Sequence, residues 1–441
     1  MIILLEETSG IKKVCGKQMF HEGKEYHYSQ YCIAISCDQG ELLFHTLTGA
    51  LILVLDEQDK EKSMKELVQH WYFVPEGFDE QAFADEIREI LIRFKPVSEH
   101  KTSFTVFTTT ECNARCFYCY EKGIPHFPMS TEVAQEVGKY IAEKSGGEKV
   151  NISWFGGEPL CNSRAIDTIC DVLKSNRVDY RSIMTSNGYY LDREISSRAR
   201  QRWHLEEVQI TLDGTGKNYN RIKAYVHADN NPFERVLANI ESALQEGIKI
   251  LIRLNMDASN ASDLFALVDQ MAERFAVYSN LSARVVLLRA FTGNIHEFAT
   301  SEEANEKRSK LTECLAGYGM LQQDHLIREI KLNHCMADND TCEVILPDGQ
   351  VCRCEHYKKE EVSGNIHGET RNEAVEQSWR ERMVFPECGK CSLYPRCYNL
   401  KKCDWTKDGC LETTRMMLLE ELKRQILTAY QAYQNGGEKQ E

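Results

Sequence analysis

Between residues 103 and 290 the sequence alternates between short, β-rich apolar runs and stretches with the spacing of amphipathic helices. Alternation of this kind predicts βα units, which build a parallel sheet. We therefore expect an α/β core, either an open wound sheet or a partial, TIM-like barrel of six units. In both, functional groups collect at the carboxyl ends of the strands. The predicted strands are SFTVFT (103–108), VNISWF (150–155), YRSIMT (180–185), EEVQITL (206–212), KILIRLNM (249–256) and RVVLLR (284–289).

The first hundred residues follow a different pattern, in which strands come first and helices afterwards. Such an order predicts a small α+β module of winged-helix type. It is either an extension that packs on the core or a module that docks a peptide. The predicted elements are a strand at 31–37, a hairpin at 41–55 broken near Thr48-Gly49, and helices around 61–73 and 79–94.

Composition narrows the partners and the compartment. The formal net charge of -14, from 53 basic and 67 acidic side chains, opposes binding to a phosphate backbone. No run approaches about 18 apolar residues, and the start, MIILLEETSG, lacks the pattern of a signal peptide. We expect a soluble, cytoplasmic protein that binds neither nucleic acid nor membrane.

The 18 cysteines need an explanation other than disulfides, because a reducing compartment does not favour them. Three lie at 112–119 and nine lie between Cys335 and Cys410. This clustering predicts two separate regions that bind metal or iron-sulfur groups. The remaining six are interpreted as small core residues: Cys15, Cys32, Cys37, Cys161, Cys170 and Cys314.

The first cluster, ECNARCFYCY (111–120), offers Cys112, Cys116 and Cys119 but no evident fourth ligand. A tetrahedral zinc site or an ordinary ferredoxin cluster uses four protein ligands. Three thiolates can hold three irons of a four-iron cluster and leave the fourth open to a small molecule. A structural zinc site or unrelated thiols remain the alternative.

Polar turns follow the next two predicted strands. WFGGEPL ends the second with two glycines that let a ligand approach the backbone and a glutamate suited to an ammonium group. MTSNGYYL ends the third with hydroxyl and amide groups suited to a ribose or a carboxylate. Capped turns would use the same residue types. The residues concerned are Gly156, Gly157, Glu158, Thr185, Ser186 and Asn187.

Together these motifs resemble those of the radical S-adenosylmethionine (radical SAM) enzymes. The match is the C-x3-C-x2-C loop after the first strand, with Tyr118 before its last cysteine, and the GGEP motif that ends at Pro159. The resemblance implies that S-adenosylmethionine completes the coordination of the open iron. It also implies that Tyr118 packs near the adenine, that Glu158 and its neighbours receive the amino group, and that the 185–187 turn lies near the ribose.

Two later segments extend the resemblance. QITLDGTGKNYNRIKAY is similar to the family's fourth-strand segment, with Tyr219 at the place of a histidine and Lys223 at the place of an arginine. Lys223 would bind a carboxylate through a single compact charge, whereas an arginine would bind it through two parallel hydrogen bonds. IRLNMD is similar to the fifth-strand segment, so Arg253 and Asn255 either line the cofactor cavity or make strand-end hydrogen bonds.

The C-terminal cysteines resemble a SPASM domain, the extension that many peptide-modifying members carry. Cys335, Gly349 and Cys354 fit its opening, C-x2-C-x5-C follows at 388–397, and SGNIHG matches at 363–368. Cys403 arrives after five residues where three are usual. The resemblance implies two auxiliary [4Fe-4S] clusters; one or two zinc knuckles are the alternative. The implied ligand sets are Cys335, Cys342, Cys354 and Cys403 for the first, with Cys352 competing with Cys354, and Cys388, Cys391, Cys397 and Cys410 for the second.

Glu355 stands where sulfatase-maturing relatives place a proton-accepting aspartate. It is a candidate general base, or else a hydrogen-bond acceptor beside a cluster.

The resemblance implies that a 5'-deoxyadenosyl radical abstracts a substrate hydrogen. We expect a maturase that crosslinks a ribosomally made peptide, through a thioether or carbon-carbon bond, with net oxidation. Its partners would be a precursor peptide with a leader and a low-potential donor such as flavodoxin or ferredoxin. A formylglycine maturase of sulfatases is one alternative, and a non-catalytic electron carrier or zinc adaptor is another. The expected domains are a leader-binding module at 1–98, a partial barrel at 99–325, a SPASM domain at 326–425 and a polar tail at 426–441.

Overall fold

The computed structural model divides the chain into two compact units. We call Val97–Gln322 with Cys335–Arg380 the core unit, and Met1–Pro96 with Gln323–His334 and Glu381–Glu441 the terminal unit. The residues that the structure describes are 2–6, 15, 18, 20–55, 64–94, 98–226, 230–288, 295–323, 325–331, 333, 335–368, 371–397, 400–403, 409–410 and 412–434.

Strands and helices alternate through the core unit, whereas the terminal unit is mostly strands followed by helices. The strands are β1 (Ile2–Glu6), β2 (Tyr26–Tyr28), β3 (Cys32–Cys37), β4 (Gly40–His45), β5 (Leu51–Val54), β6 (Phe73–Pro75), β7 (Ser103–Thr109), β8 (Val150–Gly156), β9 (Tyr180–Ser186), β10 (Leu205–Leu212), β11 (Lys249–Met256), β12 (Leu281–Leu287), β13 (Cys342–Ile345), β14 (Gln350–Cys352) and β15 (Val362–Asn365). The helices are α1 (Met64–Gln69), α2 (Glu80–Arg93), α3 (Thr131–Lys144), α4 (Ser163–Ser175), α5 (Arg193–Arg202), α6 (Gly216–Lys223), α7 (Pro232–Gln245), α8 (Ala261–Phe275), α9 (Ser301–Gly317), α10 (Glu373–Ser378) and α11 (Glu412–Gln434).

The core unit is built on a nine-stranded sheet with the order β12-β11-β10-β9-β8-β7-β13-β14-β15. Strands β7 to β12 run parallel, and β13 joins β7 in parallel before two antiparallel pairings complete the sheet. The predicted mixed α/β class with a parallel-dominated sheet is confirmed. All six predicted strands are present as β7 to β12, although Arg289 of the sixth lies outside the described residues.

Successive side chains of each strand point to opposite faces of this sheet. On β11, Ile250, Ile252 and Leu254 are buried in the main hydrophobic core beneath the helices. Arg253 points to the other side. That other side, which we call the open face, also carries Ile183 of β9, whose side chain is 47% exposed. Polar strand residues therefore meet on a face that the core helices leave uncovered.

The terminal unit contains a four-stranded antiparallel sheet, β1-β5-β4-β3, and a small β2-β6 pair. The predicted strand at 31–37 and the hairpin at 41–55 are confirmed, and Gly49 turns the hairpin with a φ of 72°. The helix predicted around 61–73 is shorter and is followed by β6; residues 61–63 lie outside the described residues. Strands β1, β2 and β6 were not predicted.

The C-terminal helix α11 completes the core of this sheet. Leu422 and Ile426 pack with Ile33 and Leu42, and Tyr430 OH donates to Asp38 Oδ1 at 2.9 Å. The predicted start of a polar tail at 426 therefore falls inside a helix whose apolar side is buried, and residues 435–441 lie outside the described residues. Among the described helices, none is both long and apolar enough to cross a membrane.

A buried histidine predicts how the stability of the terminal unit depends on pH. His45 Nδ1 accepts from Thr48 N at 3.2 Å and its Nε2 lies 3.3 Å from Ser29 Oγ, whose hydroxyl donates to Glu80. Burial lowers the pKa of His45 from 6.5 to about 3. The neutral imidazole therefore stabilises the folded state fully above pH 6.5, and this contribution is lost as the pH falls toward the folded-state pKa.

We expect the free energy of unfolding to drop by about 2 kcal/mol between pH 7 and pH 5 through His45 alone. Urea unfolding of the wild type and of His45→Gln at both pH values measures this difference. Parallel pH dependence in the two proteins would contradict the assignment.

Candidate active site

The three-cysteine loop leaves the carboxyl end of β7 and is held by local hydrogen bonds. Glu111 N donates to Thr109 Oγ1 at 2.9 Å, and Cys119 N donates to Cys116 O at 3.2 Å. Cys112 Sγ accepts from Ala114 N at 3.3 Å. Hydrogen bonds to sulfur are one way in which proteins tune iron-sulfur clusters. The backbone thus supports the three thiols at the site that the sequence predicts.

Burial controls the protonation of these thiols. It raises the pKa of Cys112 and Cys116, and it raises the pKa of Cys119 to about 11. The nearby charge of Lys223 acts in the opposite direction on Cys116. Because thiolates are the ligands, binding of a metal or cluster here would release protons.

The glycine pair after β8 is explained by the approach of the chain's own backbone. Gly156 has a φ of 124°, and a Cβ atom there would lie 2.1 Å from Thr109 O. A Cβ atom at Gly157 would lie 2.5 Å from Glu111 O. The close approach of the end of β7 is therefore a sufficient reason for glycine at both positions. Contact between this pair and a cofactor remains a prediction, as it does for the buried Pro159.

Glu158 is buried and its carboxylate is mostly occupied. Oε1 accepts from Leu160 N at 3.1 Å and from Ser186 Oγ at 2.9 Å, and Oε2 accepts from Asn187 N at 2.8 Å. Burial raises the pKa of this carboxyl group. A carboxylate offers about four acceptor positions, so one remains for an ammonium group.

The turn after β9 joins the cysteine loop through side-chain amides. Asn187 Nδ2 donates to Asn113 Oδ1 at 2.7 Å. Asn113 Nδ2 is buried and has no hydrogen-bond partner in the part of the chain that the structure describes. This unsatisfied donor directly follows Cys112 and was not predicted, since a single asparagine in a loop carries no distinctive spacing. Thr185 is half-buried and pairs in register with Gln209.

Lys223 makes a buried ion pair that also contacts the cysteine loop. Its Nζ lies 3.0 Å from Asp213 Oδ2 and donates to Tyr118 OH at 3.2 Å, while Tyr118 OH donates to Asp213 Oδ1 at 2.9 Å. Burial alone would lower the pKa of Lys223, but Asp213 raises it well above its usual value. Lys223 O also accepts from Arg115 N at 2.8 Å. The expected contact of Lys223 with a cofactor carboxylate remains a prediction, and the carboxylate that it meets here is Asp213, which the sequence reasoning missed.

Arg253 and Asn255 lie at the end of β11, where Arg253 Nε donates to Asn255 Oδ1 at 2.8 Å. Burial raises the pKa of Glu355, and the charge of Arg253 opposes that rise. The ring of His356 stacks on Tyr120 with centroids 3.8 Å apart. The segment that carries Glu355 therefore borders the cysteine loop, with Arg253 within electrostatic range.

Four of the later cysteines belong to the core unit. The buried Arg353 donates to Cys342 O at 3.3 Å, Cys335 Sγ accepts from Ala337 N at 3.3 Å, and Cys354 Sγ accepts from His356 N at 3.4 Å. Cys352 is instead fully buried in an apolar cluster. These contacts favour Cys354 over Cys352 as a ligand. Cys403 belongs to the terminal unit, so its place in the first auxiliary set stays a prediction.

The second predicted set lies wholly in the terminal unit. After burial, which is the largest cause, the charges of Cys391, Cys388 and Cys410 raise the pKa of Cys397 to about 12. The four thiols are therefore near one another. Among the described residues, no three histidine, cysteine, aspartate or glutamate side chains form a group that could hold a metal ion. Ligands of a four-iron cluster bind different irons, so the cluster prediction stays open.

Comparison with known proteins identifies the class of the site. Residues 106–269 match the Radical SAM superfamily. The Fe-coproporphyrin III synthase of Methanosarcina barkeri is 25% identical over 167 residues, which cover 37% of this chain and 39% of that protein. The GTP 3',8-cyclase of Nautilia profundicola is 27% identical over 173 residues, which cover 37% of this chain and 50% of that protein. The match thus spans half or less of these relatives.

Solved structures share the fold. The structure of anSMEcpe with bound AdoMet and Kp18Cys peptide has a TM-score of 0.58 and 17% identity, covering 75% of this chain and 99% of that chain. Streptococcus suis SuiB bound to precursor peptide SuiA has a TM-score of 0.52 and 13% identity, covering 88% and 95%. The chain therefore shares their mixed α/β fold, and its residues 106–269 match the Radical SAM superfamily.

The radical SAM class implies S-adenosylmethionine and a [4Fe-4S] cluster, and the residues present fit both. Three cysteines lie on one loop, Glu158 keeps one acceptor position, and the Asn113 amide keeps a buried donor that has no partner among the described residues. These groups come from the ends of β7, β8 and β9, where the predicted architecture places chemistry.

Proposed function

We propose that this protein is a radical SAM maturase that crosslinks a ribosomally made peptide through a thioether or carbon-carbon bond, with net oxidation. The observation that carries the proposal is that the terminal unit combines an edge strand suited to peptide capture with five of the later cysteines. The likeness to SuiB, whose structure holds a precursor peptide, supports the proposal of a peptide substrate. The coordinates of anSMEcpe with a peptide also support a peptide partner.

Strand β3 is suited to binding a leader peptide by strand addition. Among the described strands it pairs only with β4. Thr46 N donates to Tyr31 O at 2.8 Å, so in the alternating antiparallel pattern the backbone groups of Ala34 and Ser36 point away from β4. Both residues are exposed. An extended peptide could therefore pair with this edge.

The proposed chemistry assigns tasks to the residues of the core unit. Cys112, Cys116 and Cys119 would hold the cluster, and Glu158 and Asn113 would orient the cofactor. The bound cofactors would supply a 5'-deoxyadenosyl radical for hydrogen abstraction and auxiliary clusters as acceptors of the electron left after bond formation. Glu355 would take the proton that the substrate loses as the new bond forms. A flavodoxin or ferredoxin would supply the first electron.

The test replaces Ala34 by proline. The backbone N–H of Ala34 points away from β4, so its loss in the proline variant should leave the β3-β4 pairing intact while blocking strand addition. We expect leader affinity to fall by about tenfold or more, given the energy of one or two hydrogen bonds, with unchanged reductive cleavage of S-adenosylmethionine. Ala34→Val, which keeps the N–H, is the matched control. Equal leader affinity in both variants would refute binding at this edge.

The formylglycine maturase of sulfatases is the second candidate. It is favoured by Glu355 after Cys354 and by the likeness to anSMEcpe. Tandem mass spectrometry separates the two, because a crosslink joins two residues of one peptide with loss of two hydrogens, whereas formylglycine formation leaves an aldehyde on a single cysteine or serine. A protein that does not cleave S-adenosylmethionine would be an electron carrier or a zinc adaptor.

A further inference from the structure

Two arginines lie side by side on the open face of the core sheet. Arg253 of β11 and Arg284 of β12 are register partners in parallel strands, so both side chains lie on the same face. Arg284 Nη2 donates to Gln209 Oε1 at 2.5 Å, which requires its guanidinium to extend across β11 to β10. The two cationic groups are thus held over neighbouring strands.

Among the described residues, no Asp or Glu oxygen lies within 4.0 Å of either guanidinium. Ion pairs within 4.0 Å of an Asp or Glu oxygen do form for Arg181, Arg202 and Arg274, but not for these two. Arg253 Nε instead donates a hydrogen bond to the neutral side chain of Asn255. Like charges opposite each other in a sheet destabilise it. Burial and the charge of Arg284 both lower the pKa of Arg253, and the charges of Tyr118, Glu355 and Asp213 act in the opposite direction.

The position of the pair links it to the proposed reaction. The charges of Tyr118, in the cysteine loop, and of Glu355 both raise the pKa of Arg253. Arg253 therefore lies within electrostatic range of the cysteine loop and of the candidate base. Ile183, on the same face, adds an exposed apolar surface. A ligand held by the arginines would therefore extend toward the reacting groups.

We propose that Arg253 and Arg284 bind a carboxylate of the substrate and thereby position the residue that is modified. This inference rests on the proposed peptide substrate. Planar guanidinium groups suit carboxylates because they donate parallel hydrogen bonds. The carboxylate is either an acidic side chain or the carboxyl terminus of the peptide.

The test measures binding of three rhodamine-labelled pentapeptides to the holoenzyme with S-adenosylmethionine. One has a central glutamate and blocked ends, one has glutamine instead, and one is all-glycine with a free carboxyl terminus. We expect one of the carboxylate peptides to bind about tenfold more tightly than the glutamine peptide, as for a charge-assisted hydrogen bond. Tighter binding of the glutamate peptide would identify an acidic side chain as the ligand, and tighter binding of the all-glycine peptide would identify the carboxyl terminus.

Arg284→Gln should abolish that preference and leave the affinity for S-adenosylmethionine unchanged. The matched control is Arg181→Gln on the same face, whose guanidinium is already held by Asn151 and Glu206. Equal affinity for all three peptides, or no detectable binding of any, overturns the carboxylate site but not the leader-binding proposal. Loss of S-adenosylmethionine affinity in Arg284→Gln overturns it in favour of a cofactor contact. Tight GTP binding that Arg284→Gln abolishes overturns both this inference and the peptide substrate.

Discussion

Replacing Cys112, Cys116 and Cys119 together by alanine is expected to lower the iron content from about twelve to about eight per chain, because one four-iron cluster loses its ligands while two with four protein ligands each remain. Cleavage of S-adenosylmethionine should fall to background. Iron and acid-labile sulfide after anaerobic reconstitution measure the first effect, and formation of 5'-deoxyadenosine measures the second. This combination separates loss of the reactive cluster from general loss of metal.

Cys161→Ala is the matched control for the triple variant. Cys161 is near enough for its charge to affect the pKa of Cys112, yet it belongs to none of the predicted ligand sets. Its replacement should leave about twelve irons per chain, as counted from three four-iron clusters. Stoichiometric zinc with little iron in the wild type would instead mean that the later cysteines are structural and that they do not conduct electrons.

Asp213→Asn is expected to destabilise the core unit by about 3 to 5 kcal/mol, because it leaves the buried ammonium of Lys223 without its anion. Lys223 is 3% exposed and Asp213 is fully buried, so water cannot replace the lost charge. Asparagine keeps one acceptor oxygen for Tyr118 OH, so the lost charge is the main effect of the change. A loss of this size is a large fraction of the total stability of a typical domain. Urea unfolding of the protein without its clusters measures it.

Two further variants separate charge from packing. Asp213→Asn combined with Lys223→Met removes both charges and should recover most of the lost stability, as replacement of buried ion pairs by apolar groups often does. Tyr118→Phe should cost only about 1 kcal/mol, the value of one hydrogen bond. Equal stability of the single and the double variant at positions 213 and 223 would show that the ion pair is not the cause.

Local periodicity predicted much of the fold. The strands β7 to β12 begin and end near their expected residues because burial on a parallel sheet imposes a pattern that each strand carries by itself. The same holds for the GGEP segment and the cysteine loop, whose chemistry depends on spacing within a few residues. Glu158 and the three cysteines could therefore be selected before any contact was known.

Contacts between distant segments could not be predicted in this way. Asp213 meets Tyr118 across 95 positions, and α11 joins a sheet whose strands lie near the other end of the chain. Strands β1, β2 and β6 were missed because short edge segments carry too few residues for a period to show.

The sequence by itself predicted the class that residues 106–269 match, since the spacing of the cysteines and the polar strand ends follow from covalent order. Only the tertiary structure decided which charged side chains form ion pairs and which glycines contact the backbone of another strand. It also decided that Arg253 and Arg284 are neighbours on one face of the sheet. Strand register and side-chain packing set those distances, and both depend on the whole sheet instead of any one segment.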